Sequence, residues 1–190
     1  MDEKKINWKE ELLDLGKTFV ICLFIVFLLT HFVAKPVRVD GVSMYPTLKD
    51  GEIGFINMFA KKTQGVERYD VVVVNHEADH ENWVKRVIGL PGETILCRDD
   101  VVYIDGKPLA EPYLNTSYVA EQRYAGHKFT LDFGPVVLGE DQYFVMGDNR
   151  VKSYDSRQLD VGAFSVEDIV GKDVYVIYPF NEIKMVRNGK

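Results

Sequence analysis

Residues Thr18 to Ala34 (TFVICLFIVFLLTHFVA) constrain this chain more than any other stretch, because they contain no Asp, Glu, Lys or Arg. A helix lying on a soluble core shows a polar stripe at a period of 3.6 residues, and this segment is apolar on every side. Its length sits at the short limit of what spans a bilayer, roughly 17 to 25 residues, and Leu15 and Gly16 could extend it. A cleaved leader needs small residues ahead of the cut. The one candidate, Phe32-Val33-Ala34, places the bulky Phe32 at the minus-three position. The segment therefore reads as an uncleaved signal anchor crossing the bilayer once over 18–34. Lys4, Lys5, Lys9 and Lys17 precede it, while Lys35, Arg38 and Lys49 follow. That weak bias favours a cytoplasmic N-terminus, with 1–17 inside and 35–190 outside. Between Trp8 and Gly16 charge alternates with Leu12, Leu13 and Leu15, which suits an interfacial helical turn or a solvated lead-in.

Beyond Pro36 the pattern changes to short β-branched runs broken by Gly, Asp and Asn. Candidate strands are Val37–Val39, Glu52–Asn57, Asp70–Asn75, Trp83–Ile88, Thr94–Arg98, Val101–Asp105, Tyr143–Met146 and Lys172–Tyr178. The four valines after Asp70 predict a strand buried on both faces. Asp105-Gly106 predicts a two-residue hairpin turn, which needs positive φ twice. Pro91-Gly92 and Gly134-Pro135 mark further turns. A short helix is expected at Ser165–Ile169, with Ser165 as cap and Asp168 three residues on. The fold class is mostly β: one N-terminal transmembrane helix, then an all-β domain with a smaller, more polar β subdomain inserted over 98–142.

Composition narrows the function. With 23 basic and 29 acidic residues the net charge is -6, which disfavours a nucleic-acid partner. The two cysteines, Cys22 in the apolar segment and Cys97 beyond it, make no disulfide scaffold.

Three stretches carry possible chemistry. Gly41-Val42-Ser43-Met44-Tyr45-Pro46 sets a serine in a turn after a strand, where Gly41 permits backbone positions closed to other residues and Pro46 fixes φ nearby. A serine nucleophile needs a base. Lys85 lies mid-strand, sharing a face with Trp83 and Val87, while Val84, Arg86 and Ile88 take the other. Apolar neighbours desolvate a lysine, lower its pKa and free its lone pair. An ordinary loop serine and a snorkelling lysine are the bland alternatives. The third stretch, Met146 to Arg157, interleaves acids, bases and hydroxyls, as a turn cross-linked by ion pairs or a solvated loop would.

Taken together, GVSMYPTL, KRVIGLPGE and GDNRVKSYDSR, in that order behind one anchor, closely resemble the bacterial type I signal peptidases. Arg68-Tyr69-Asp70-Val71-Val72-Val73 also looks like the family's intermediate strand motif. The resemblance runs from the anchor to about Gly171, and its last motif is the most specific. It implies a serine endopeptidase of the bacterial cell membrane, single-pass, with its catalytic domain on the extracytoplasmic side. It would remove signal peptides from exported preproteins, beside the lipid bilayer and near the export translocon. By the same resemblance Ser43 is the nucleophile, Lys85 the general base, and Ser153 the hydroxyl that orients the lysine. Asp148, Arg150, Asp155 and Arg157, with Arg86, hold the site by ion pairs. Val39, Met44, Leu48 and Val84 line two shallow pockets for small residues at the first and third positions before the cut. No metal or organic cofactor is implied. Some members carry a serine two places before the nucleophile to bind the oxyanion. Here that place is Gly41, so the oxyanion must lean on backbone N–H groups such as that of Ser43.

The rival enzyme reading is a zinc protease through His76-Glu77-x-x-His80, which needs both imidazoles on one helical face. Four valines before His76 and a strand from Trp83 leave too little room for that helix. A membrane-tethered β adaptor would give the three motifs no role, and another Ser–Lys protease class would not account for the anchor.

Overall fold

A computed structural model describes residues 8–78, 81–124 and 126–186. The first element is a helix, α1 (Trp8–Leu28), followed by a wider π turn over Leu29–Val33. None of the residues of α1 is buried. The charged residues Lys9, Glu10, Glu11, Asp14 and Lys17 occupy its first half, and Thr18 to Leu28 form its apolar half. Among the described residues no helix is long and apolar enough to cross a membrane. The expected span over 18–34 is thus divided: its α-helical part ends at Leu28, and Ala34 already belongs to the first strand.

The rest is mostly β. The main sheet contains β1 (Ala34–Arg38), β2 (Ile53–Asn57), β3 (Val71–His76), β4 (Glu81–Gly89), β9 (Gln142–Met146), β10 (Phe164–Ser165), β11 (Ile169–Tyr178) and β12 (Lys184–Val186). Its order is β1-β2-β11-β3-β4-β9-β10, with β12 beside β11, and its pairs are antiparallel. A second sheet, in the order β7-β6-β5-β8, lies between β4 and β9 in sequence. It comprises β5 (Thr94–Arg98), β6 (Val101–Ile104), β7 (Lys107–Pro108) and β8 (Phe133–Val137). Asp105 and Gly106 join β6 to β7, both at positive φ, as the hairpin signal requires.

Val71 to Val74 are all buried, alternate residues entering two different cores. Val71 and Val73 pack with Val39, Met44, Leu48 and Val84, while Val72 and Val74 pack with Val87, Val145 and Ile169. A third cluster joins Ile88, Phe144 and Met146 of the main sheet to Ile95, Val102 and Ile104 of the second. Both cysteines are free, Cys97 buried and Cys22 exposed.

The helices differ from expectation. Ser165–Ile169 is not helical. Ser165 and Asp168 do make reciprocal bonds, with Ser165 N–H donating to Asp168 Oδ2 at 2.7 Å and Asp168 N–H to Ser165 Oγ at 3.4 Å. They close a turn instead, because Ile169 is fully buried and starts β11 opposite Val74. Two short helices stand where none was expected. In α2 (Met58–Gln64) Asn57 Oδ1 caps the Ala60 N–H at 2.9 Å. In α3 (Ser117–Tyr124) Thr116 Oγ1 accepts from Val119 N–H at 3.3 Å, and Val119 packs with Leu114 and Phe129.

Candidate active site

The serine turn is fixed at both ends. Val39 N–H donates to Glu52 O and Gly51 N–H to Val39 O, each at 2.8 Å. Gly41 has φ +89°, a conformation that favours glycine, and its N–H donates to Asp50 Oδ1 at 2.8 Å. Val42 O then accepts the Tyr45 N–H at 3.1 Å, and Met44 O the Leu48 N–H at 2.9 Å. Met44 and Leu48 are buried in the core, so Ser43 is held between the Gly41–Asp50 bond on one side and the anchored Met44 on the other.

Lys85 reaches this turn from β4. The register aligns Asn57, Lys172, Val72 and Lys85 across four strands, placing the lysine inside the sheet. It is 4% exposed, and its Nζ lies 3.0 Å from Ser43 Oγ and 5.5 Å from the centre of the Trp83 ring. Burial pushes its pKa from the ordinary 10.5 down to about 8. The Asp155 carboxylate opposes that shift and the Arg157 guanidinium adds to it.

Beside the pair lies a cleft of about 320 Å³, lined by Arg38 to Asp40, Ser43, Met44 and Glu81 to Lys85. Val39, Met44 and Val84 furnish its apolar wall, whereas Leu48 is fully buried and is absent from the lining. The edge of β4 facing away from β3 pairs with β9 only from Arg86 to Gly89. Along Glu81 to Lys85 that edge has no partner strand among the described residues, so its backbone groups remain open to an extended peptide.

The GDNR turn closes the site from the other side. Arg86 Nε and Nη2 donate to Asp148 Oδ1 and Oδ2 at 2.8 and 2.7 Å, a bidentate pair with both side chains buried. Thr47 Oγ1 adds a bond to Asp148 Oδ2 at 2.5 Å, tying the serine turn to that pair. Arg150 is fully enclosed. It pairs with Glu111 and also donates to Thr130 Oγ1 at 3.1 Å and to Gly147 O at 3.2 Å. Burial alone would raise the Asp155 carboxyl, but the Arg157 guanidinium, with the Gly147 N–H, holds it below the usual carboxylate range. Arg157 Nε donates to Asp155 Oδ1 at 2.7 Å.

Ser153 is placed differently from expectation. Its Oγ is buried and makes no hydrogen bond, to Lys85 or to any other described residue. It lies against Gly147 so closely that a Cβ there would overlap both Ser153 Oγ and Ser43 O. Sequence reasoning also passed over Thr47, Glu111, Tyr118 and Asn149, whose partners lie far away in the chain. The zinc-protease pattern finds no helix: His76 ends β3 and stacks on Trp83 with ring centres 4.0 Å apart, and His80 lies outside the described residues.

A sequence profile of the family described as signal peptidase, peptidase S26, matches residues 12–178. The signal peptidase I T of Bacillus subtilis (strain 168) is 43% identical over 175 residues, covering 92% of this chain and 90% of that protein. A signal peptidase I of Bacillus amyloliquefaciens is 41% identical over 186 residues, covering 98% of each. A crystal structure of a signal peptidase I from Enterococcus faecalis V583 aligns at 33% identity with a TM-score of 0.49, over 56% of this chain and 95% of that one.

Proposed function

Since the chain belongs to the signal peptidase family, peptidase S26, as a bacterial type I signal peptidase, we propose that Ser43 and Lys85 are the dyad of its reaction. The protein is a serine endopeptidase that removes signal peptides from preproteins. The 3.0 Å contact between Lys85 Nζ and Ser43 Oγ carries the assignment of roles. Neutral Lys85 takes the hydroxyl proton as Ser43 Oγ attacks the scissile carbonyl, and the ammonium then protonates the leaving amine. Water, activated by the same amine, releases the acyl group. A pKa of about 8 leaves roughly a tenth of the lysine neutral at pH 7, against well under a thousandth at 10.5.

The preprotein binds extended along the open edge of β4. Its first and third residues before the cut, both small, face the apolar wall of Val39, Met44 and Val84, with Leu48 packed behind it. Ser153 Oγ supplies the partner that Lys85 Nζ takes up once Ser43 is acylated, since a buried hydroxyl without a bond is held about 1–3 kcal/mol above its satisfied state. Asp148, Arg150, Asp155 and Arg157, with Arg86, keep the two turns in register, and Gly41 supplies the backbone conformation that starts the serine turn.

The same reading places the apolar segment from Thr18 up to Val33, one residue short of the expected end at Ala34, in the lipid bilayer as an uncleaved anchor, with 1–17 on the cytoplasmic side and the β domain outside, near the translocon. It is supported by the apolar half of α1, where Phe19 to Val26 are exposed and none of the described residues buries them. The second sheet and its connections form the inserted subdomain, whose start moves from the expected 98 back to Thr94, because β5 pairs within that sheet. Incubating the purified full chain with a preprotein and mapping the products by mass tests the proposal. One cut after a small residue is expected, lost in Ser43→Ala; substantial cutting by Ser43→Ala would overturn it.

A further inference from the structure

One buried residue outside the dyad joins the serine turn to α3. Asn149 is 1% exposed. Its backbone N–H donates to Ser43 O at 3.0 Å, and its side-chain Nδ2 donates to Val42 O, also at 3.0 Å. Its Oδ1 accepts the Tyr118 hydroxyl at 3.0 Å. Tyr118 is itself fixed, meeting Tyr45 edge-on with ring centres 4.9 Å apart and packing on Phe129. Two consecutive carbonyls of the turn are therefore held by one residue, and that residue is held by α3.

The consequence lies in peptide geometry. A trans peptide is planar, with its C=O and N–H pointing in opposite directions. Clamping Val42 O therefore sets the direction of the Ser43 N–H at the other end of the same peptide. That N–H has no acceptor among the described residues, whereas the Gly41 N–H is already taken by Asp50.

We propose that Asn149, locked by Tyr118, is a positioning residue that aims the Ser43 N–H at the oxygen that becomes negative in the tetrahedral intermediate. This inference rests on Ser43 as the nucleophile. As Oγ bonds to the carbonyl carbon, the C=O π pair moves onto oxygen and the Oγ proton passes to Lys85. As the intermediate collapses, that pair returns, the C–N bond breaks and the proton leaves on the amine. The charge exists only between these two events, so a donor aimed at it lowers the barrier without tightening substrate binding.

Asn149→Asp and Tyr118→Phe in the full chain test this, with kcat, KM and the pH profile measured on a short peptide. Inhibition by a peptide boronic acid, whose adduct with Ser43 Oγ is tetrahedral, supplies a second readout. Asn149→Asp, in its ionised form, keeps the acceptor for Tyr118 and the backbone N–H but loses the donor to Val42 O. Its kcat should fall by about 10²-fold, with KM and the pH midpoint unchanged and boronate affinity falling in parallel. Tyr118→Phe should move kcat the same way by about 3- to 10-fold. Unchanged kcat, or a fall accompanied by a shifted pH midpoint or a raised KM, would overturn the aiming role. If Asn149→Asp does not fold, Tyr118→Phe decides by the same criteria. Ser43→Ala separates the two claims: activity surviving there removes the nucleophile, while an inactive Ser43→Ala beside a fully active Asn149→Asp removes only the aim.

Discussion

Replacing Lys85 with methionine should abolish cleavage and stabilise the protein at neutral pH. The side chain is 4% exposed and its pKa falls from 10.5 to about 8 on folding, chiefly through desolvation. The unfolded chain therefore binds more protons than the folded one between those two values. Stability held back by the buried ammonium is regained as pH rises through that window, and the full penalty applies below it. The drop corresponds to about 3 kcal/mol at pH 7. Methionine has a similar shape and no charge, so it removes the penalty while losing one hydrogen bond to Ser43, about 1 kcal/mol. A net gain of about 2 kcal/mol at pH 7 is expected. It should shrink with rising pH and reverse to a loss of about 1 kcal/mol near pH 10.5. The assay is chemical denaturation of the full chain and its Lys85→Met variant in the same detergent, at several pH values from 7 to 10.5. A difference that stays flat with pH would show that Lys85 is not held against its charge, and the reasoning would fail.

Asp148→Ala leaves Arg86 buried without its partner and should destabilise the protein by about 3–5 kcal/mol, read as a lower denaturation midpoint. A strong chelator and His76→Ala should each leave cleavage intact, because His76 ends a strand and stacks on Trp83; loss on chelation with recovery on adding zinc would contradict this. Removing residues 1–33 keeps Ala34 paired with Asn57 and should leave a folded domain that cuts short peptides but processes membrane-inserted preproteins more slowly. Unfolding on truncation would give α1 a structural role.

The strands were legible because alternation and β-branched runs report burial directly. The run after Asp70 and the turn at Asp105-Gly106 are examples. The short helices were not, since seven or eight residues give no clear period, and Asn57, the cap of α2, also ends a strand. The Ser165/Asp168 pair shows the converse error: those side chains satisfy each other in a turn as well as at a helix start, and the burial of Ile169 decides between the two. Of the site, Ser43 and Lys85 were accessible through their motifs. The role of Asn149 was not, because its carbonyl partner lies 107 positions away and its hydroxyl partner sits in a helix that sequence did not suggest. The position of the Ser153 hydroxyl, packed on Gly147 and without a bond to Lys85, is likewise set by tertiary contacts that no local pattern encodes.

The dependence of kcat/KM on pH tests the dyad most directly, since it reports the ionisation of the free enzyme's base. With the full chain and a short peptide, a single ascending limb with its midpoint at about 8 is expected, unchanged in His76→Ala. A midpoint at the ordinary lysine value of about 10.4, or a limb near 6.5 that disappears with His76, would contradict Lys85 as the base.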